Sequence, residues 1–317
     1  METGQDIQEA PRRSGIERSL NDDHLAPVSV SNAVRFAYCF LVYRLSSTLR
    51  LVWLPFTLAG LTLYLCLSDY LSDLLMFLGS PSPKLASRAL GTLAAGIFLT
   101  LFLYTNSVIA LTNFALERPA ELRWFPLRAR RQEWLLFSAD LRFFLLLILL
   151  AACVWNLSLS LGAVFGVPRN LSLAVPTLAA LIGMFWLFVR MGFLLGPIAV
   201  EMKGSTLRLA WKLSGKNFWR IAAVVFLLLI PGLLVQWTGE VVLRAWNSVP
   251  SEVQAIPIAD YAQFMERTLG AGLIITSLSS LVTIVLLSAG AVAVYENLKW
   301  QEALPPQVDP LAKPSGA

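Results

Sequence analysis

Charged residues are absent from six stretches of the chain: 51–68, 89–116, 143–168, 171–189, 221–239 and 268–295. Each is rich in Leu, Val, Ile, Phe and Ala, and each approaches the roughly 20 apolar residues that a membrane-spanning helix requires. The segment Phe143–Val154, FFLLLILLAACV, is apolar almost throughout. A helix in a soluble protein has a polar face and does not need this pattern. The runs predict an all-α polytopic membrane protein with spans at about 51–68, 91–114, 143–166, 171–195, 221–239 and 269–295. These fill a membrane domain over 32–300, between a polar tail (1–31) and a Pro-rich tail (301–317), both read as loose chain. The first run begins after 50 residues and lacks a short apolar core followed by a cleavage site, unlike a signal peptide.

Two basic segments between the runs have amphipathic periodicity. Residues 33–50 (AVRFAYCFLVYRLSSTLR) and 204–220 (GSTLRLAWKLSGKNFWR) each read as an interfacial helix feeding a span. In the second, Leu207, Ala210, Trp211 and Ser214 follow i, i+3, i+4, i+7 spacing, with Arg208 and Lys212 on a neighbouring face. The two segments resemble each other: Val34-Arg35-Phe36-Ala37-Tyr38 parallels Leu207-Arg208-Leu209-Ala210-Trp211, and Pro55 and Pro231 follow in the next runs. Two parallel repeats account for this, and so does the common chemistry of any basic helix that leads into a membrane. In the acidic connection 240–267, residues Ala259 to Thr268 are predicted as a short helix.

Composition supports the membrane reading. Hydrophobic residues make up 56% of the chain and charged residues 14%, against about 25% charged in soluble domains. Mean hydropathy is +0.65. Basic residues cluster in alternate connections. Six arginines precede the first run, six lie in 117–142, and 200–220 holds Lys203, Arg208, Lys212, Lys216 and Arg220. The intervening connections hold one or two basic residues each. The positive-inside rule then predicts cytoplasmic N- and C-termini, with 117–142 and 200–220 on the same side.

Little in the chain suggests catalysis. Cys39, Cys66 and Cys153 are scattered and His24 is the single histidine, so no metal or other cofactor is expected. No nucleophile–base pair or acidic dyad stands out, and the expectation is a protein that is not an enzyme. Arg190 is the sharpest feature. It follows an uncharged run and precedes ten more uncharged residues, Met191–Val200. The expectation is that the span ends there, with Gly196-Pro197 breaking an interfacial segment and Arg190 reaching the headgroups. The alternative is a deep Arg190 facing a cavity. Asn106 and Asn113 share a face of the second span, Asn156 lies in the third, and Thr276, Ser280 and Thr283 form a stripe on the sixth. Such groups generally hold helices together. The Asn156 and Asn170 sequons are discounted, the first because it lies within a span.

Residues 186–220, WLFVRMGFLLGPIAVEMKGSTLRLAWKLSGKNFWR, resemble the hallmark stretch of a family of bacterial integral membrane proteins similar to the membrane domain of some glycerophosphodiester phosphodiesterases. The matching positions are Arg190, Pro197, Trp211, Asn217, Trp219 and Arg220, with Trp124 and Trp134 in the basic-aromatic connection 117–142. The turn departs from the family form Thr-Lys-Gly-Asn, reading Ser214-Gly215-Lys216-Asn217. The resemblance implies a membrane protein without the phosphodiesterase catalytic domain.

The expected partners are the bilayer and anionic phospholipid headgroups, met by Arg190, Arg208, Lys212, Lys216 and Arg220, with self-association or other membrane proteins also open. Basic segments that border spans and interleave with Trp and Phe suit lipid rather than nucleic acid. The leading expectation is a non-enzymatic lipid-contacting or membrane-organising protein. The other is a transporter or channel subunit with a polar site near Arg190, although the absence of Asp and Glu from all six runs disfavours proton coupling.

Overall fold

The apolar runs fold as helices that overrun the runs into charged sequence on either side. The computed structural model describes residues 28–79, 83–117, 131–165, 169–201, 206–247 and 258–303. The expected tails, apart from residues 28–31 and 301–303, and half of the connection 117–142 (118–130, including Trp124) lie outside them. The α-helices are α1 (Val30–Gly79), α2 (Pro83–Ala115), α3 (Arg131–Phe165), α4 (Arg169–Leu187), α5 (Leu195–Glu201), α6 (Thr206–Lys216), α7 (Phe218–Asn247) and α8 (Ile258–Ala303). A π turn, Phe188–Gly192, joins α4 towards α5. No strand occurs among the described residues.

Among the described residues, six stretches are long and apolar enough to cross a membrane: Val30–Tyr70, Ser87–Ala115, Arg131–Ser158, Ala174–Glu201, Phe218–Leu243 and Leu269–Lys299. The chain is an all-helical, multi-pass membrane protein. Large apolar side chains point outward along these stretches, among them Leu61, Leu149, Ile182, Leu233 and Ile274. Water would penalise that surface, whereas lipid tails solvate it.

Four boundaries differ from the sequence reading. Val30–Gly79 holds two helical segments that meet at a kink at Arg44 (φ −116°, ψ 17°), so the expected basic segment gives way to the first span there rather than near Arg50. The residues after the kink, 45–79, reach about 50 Å at 1.5 Å per residue, still more than the ~30 Å hydrocarbon core. Helix α3 begins at Arg131, so Glu133, Asp140 and Arg142 belong to a helix and not to a loop. Residues 259–268 are the start of α8 and form no separate helix. The fourth span does not stop at Arg190, because helical chain continues to Glu201.

The core lies towards one end of the bundle, where α2 and α5 finish, α3 and α7 begin, and α8 terminates. Val52, Leu111, Leu136, Leu194, Ile198, Ile221, Leu228 and Leu286 are fully buried there. Polar contacts join the helix ends at this level. Arg44 pairs with Glu117 at 3.0 Å. Gln132 donates to the Val200 carbonyl at 3.0 Å. Glu201 accepts from Lys299 at 2.9 Å and from the Tyr295 hydroxyl at 3.2 Å. Helix α6 lies at the same end. It buries Ala210, Leu213 and Ser214 and exposes Arg208, Lys212 and Lys216. The buried face is centred closer to Leu213 than the sequence spacing predicts, which leaves Trp211 40% exposed at its edge.

Candidate functional site

The regular α-helix of the fourth span is interrupted over a few residues. The Phe193 N–H donates to the Phe188 carbonyl at 2.9 Å, an i→i+5 bond that admits one residue more than an α turn. Phe193 and Leu194 then form a turn before α5. Pro197 is the third residue of α5, a first-turn position where its missing N–H leaves no helical bond unmade. The break is therefore at 188–194 and not at Gly196-Pro197. Gly196 instead lets α5 approach α2, since a Cβ on it would stand 2.9 Å from Thr112 Oγ1 and 3.1 Å from Val108 Cγ1. Short π segments often mark functional sites, and this one presents two faces.

One face carries Arg190. Its guanidinium lies 4.8 Å from the Trp211 ring centre, 5.7 Å from Phe218 and 5.9 Å from Trp186. Trp186 and Trp211 meet edge-on at 5.4 Å. The seat thus draws one ring from each of α4, α6 and α7. Gly215 makes room for it, because a Cβ there would stand 3.1 Å from Arg190 Nη1. Ser214 Oγ donates to the Arg190 carbonyl at 2.9 Å and locks α6 to the break. The Arg190 Nε is buried with no acceptor. Among the described residues, no carboxylate pairs with Arg190, Arg208, Lys212, Lys216 or Arg220.

Phe188 and Gly192, on the other face, help line a partly open cavity of about 250 Å³ between α2, α3, α5 and α8. Arg190 is not in its wall. Its ionisable groups are Asp140 and Tyr104, and Thr112 and Ser288 contribute hydroxyls. Thr105 Oγ1 stands 3.1 Å from Asp140 Oδ2 and 2.9 Å from the Leu101 carbonyl, two acceptors that share its single hydrogen. Asp140 has no other hydrogen-bond partner among the described residues. Thr105 is ten residues from the end of α2, or about 15 Å of helix, so the carboxylate is well inside the bundle.

The other predicted site residues divide between the two levels. Lys212, Lys216, Trp219 and Arg220 are exposed around the junction of α6 and α7. Asn217 occupies the cap position of α7, its carbonyl accepting from the N–H groups of Arg220 and Ile221 at 3.1 and 3.0 Å. Asn106, Asn113 and Asn156 each donate to the carbonyl four residues earlier, on Phe102, Ile109 and Ala152. Asn106 is buried, and Asn156 is exposed on the outer surface of α3. None of the three lines the cavity. In the polar stripe of α8, Thr276 and Ser280 are exposed, while the neighbouring Ser279 makes the bond to another helix, donating to the Gly232 carbonyl at 2.7 Å. No group of His, Cys, Asp and Glu suited to a metal occurs among the described residues.

No known protein family, curated protein or solved structure matches the chain. The resemblance of residues 186–220 to a membrane-domain family therefore stands on those residues alone. Asp140, with Thr105 and Tyr104, is what the sequence reading missed. A search for charge-free runs starts the third span at Phe143 and leaves Asp140 in a loop. Helical spacing carried upstream from Phe143 reveals it, because Leu136, Asp140, Phe143 and Leu147 fall on one face.

Proposed function

We propose that this protein is a non-enzymatic membrane protein that holds anionic phospholipid headgroups at the α6–α7 junction. The observation that carries the reading is the Arg190 guanidinium, clasped by three aromatic rings with its Nε buried and, among the described residues, no carboxylate partner. Arg208, Lys212, Lys216 and Arg220 surround it on exposed positions. A half-buried cation without a counterion in a membrane protein calls for an anion from outside the chain. A phosphate group supplies acceptors to a planar guanidinium, and the exposed lysines and arginines add about 1 kcal/mol each near an anionic surface. In this reading α6 lies along the cytoplasmic face, with Trp211 and Trp219 at headgroup depth.

Native mass spectrometry of the full-length protein in detergent, titrated with phosphatidylglycerol or phosphatidylcholine, tests this. Phosphatidylglycerol is expected to be retained preferentially. The variant Arg208→Gln/Lys212→Gln/Lys216→Gln is expected to lose about 100-fold in affinity for it, and Arg190→Gln to lose retention of the tightest-bound lipid. Equal retention of both lipids, or an unchanged triple variant, contradicts the reading.

A transporter or channel reading draws on a separate observation, the carboxylate-bearing cavity beside α5. It moves the polar site from Arg190 to Asp140. Solute flux into proteoliposomes that is abolished by Asp140→Asn is the result this reading requires.

A further inference from the structure

The cavity has a wall chemistry distinct from that of the Arg190 seat. Five aromatic rings line it: Tyr104 from α2, Phe143 and Phe144 from α3, and Phe188 and Phe193 from the break in the fourth span. Among the described residues, Asp140 is its carboxylate and no Lys, Arg or His contributes to the wall. Aromatic faces carry negative electrostatic potential and attract cations, most strongly where water is excluded. A ring that turns its face to the cavity adds to the negative potential of the carboxylate. Thr105 holds Asp140 Oδ2 in place and leaves Oδ1 without a hydrogen-bond partner among the described residues. A carboxylate within a span is costly and marks a site for a specific partner.

Size and polarity narrow that partner. A space of about 250 Å³ accommodates a small organic group and is too short for a whole lipid. A bare metal ion would find one carboxylate and few other oxygens, far from the six to eight that calcium takes. An uncharged acyl chain would leave the carboxylate unanswered. We propose that this cavity binds an organic ammonium ion with apolar substituents, its charge set between Asp140 and the aromatic wall and its carbon skeleton filling the rest. The ion is either a free small molecule or the choline head of a lipid. The site lies across the break from Arg190, and its ligand has the opposite charge to the one proposed there, so either assignment stands or falls without the other.

The test uses full-length protein in maltoside micelles free of choline lipid, titrated calorimetrically with benzyltrimethylammonium. Its neutral isostere, neopentylbenzene, has the same shape with carbon in place of nitrogen. The cation is expected to bind saturably, one per chain, and at least about tenfold more tightly than the isostere. Asp140→Asn is expected to weaken the cation at least about tenfold and to leave the isostere unchanged. Leu147→Trp, which fills the cavity and keeps the carboxylate, is expected to abolish binding of both. If Asp140→Asn fails to give a monodisperse protein, Leu147→Trp and Phe188→Leu carry the test, the latter expected to weaken the cation several-fold. A wild-type protein that does not bind the cation, an isostere that binds as tightly, or cation binding that survives Asp140→Asn or Leu147→Trp each overturns the proposal. Competition by added phosphatidylcholine assigns the lipid headgroup as the source, and an unchanged probe affinity assigns a free cation.

Discussion

Pro231 has no amide hydrogen, so within α7 it leaves the Leu227 carbonyl without its helical donor. The Tyr38 hydroxyl from α1 meets that carbonyl at 3.2 Å. In a bilayer no water replaces such a bond, and another helix must supply it. Tyr38→Phe is expected to destabilise the protein by about 1–2 kcal/mol, measured by SDS-induced unfolding in mixed micelles. In a Pro231→Ala background the carbonyl regains a backbone donor, and the same change is expected to cost under about 0.5 kcal/mol. An equal cost in both backgrounds would show that Tyr38 acts through packing. The sequence displayed Tyr38 and Pro231 separately but not their meeting, which joins positions 189 residues apart. Arg190 was legible because a lone cation between apolar runs is anomalous wherever the helix ends. Asp140 was not, because three residues downstream the charge-free run begins and a charge in helix looks like a charge in loop.

Helix existence followed from the apolar runs, whereas helix ends did not. A charge-free criterion finds the lipid-facing middle of a helix and stops where charges first appear. Here α1, α3 and α8 all continue past that point, because the ends of the bundle bury or pair their charges, as Glu133, Arg44 and Lys299 do. The packing of α7 on α8 was equally hidden. Gly232 sits where these helices approach closely, and a Cβ there would collide with the Thr283 hydroxyl, while Ser279 bonds the Gly232 carbonyl. Small residues admit such close approach where helices pack in lipid. Gly232→Val is expected to cost about 1–3 kcal/mol through overpacking, and Ser279→Ala about 0.6 kcal/mol through the lost interhelical bond. Both are read as shifts in the same SDS unfolding curve, and a Gly232→Val protein as stable as wild type would remove the close approach from the account. The two similar basic segments show matching burial, with Ala37 and Ala210 fully buried and Arg35 and Arg208 exposed. Both segments also end in a break ahead of a long apolar helix, the first at the Arg44 kink and the second at Asn217.

The molecule as a whole is tightest at the end that carries its basic segments. Buried side chains from α1, α2, α3, α5, α7 and α8 converge there, while large apolar residues farther along α3, α4 and α7, such as Leu149, Leu178 and Leu234, face outward. The all-helical class and the six stretches able to span were legible from hydropathy alone, since lipid permits few other backbone solutions. The cavity was not, because it is built by a π turn, an offset α5 and the upstream extension of α3, none of which leaves a periodic signal. The central claim at this scale is that the packed, basic end faces the cytoplasm, where anionic headgroups of the inner leaflet meet Arg190 and α6. Reporter fusions at residues 130, 205 and 250 measure it directly. The account predicts cytoplasmic reporter activity at 130 and 205 and extracytoplasmic activity at 250. The reverse pattern, or activity on the same side at 205 and 250, would contradict it.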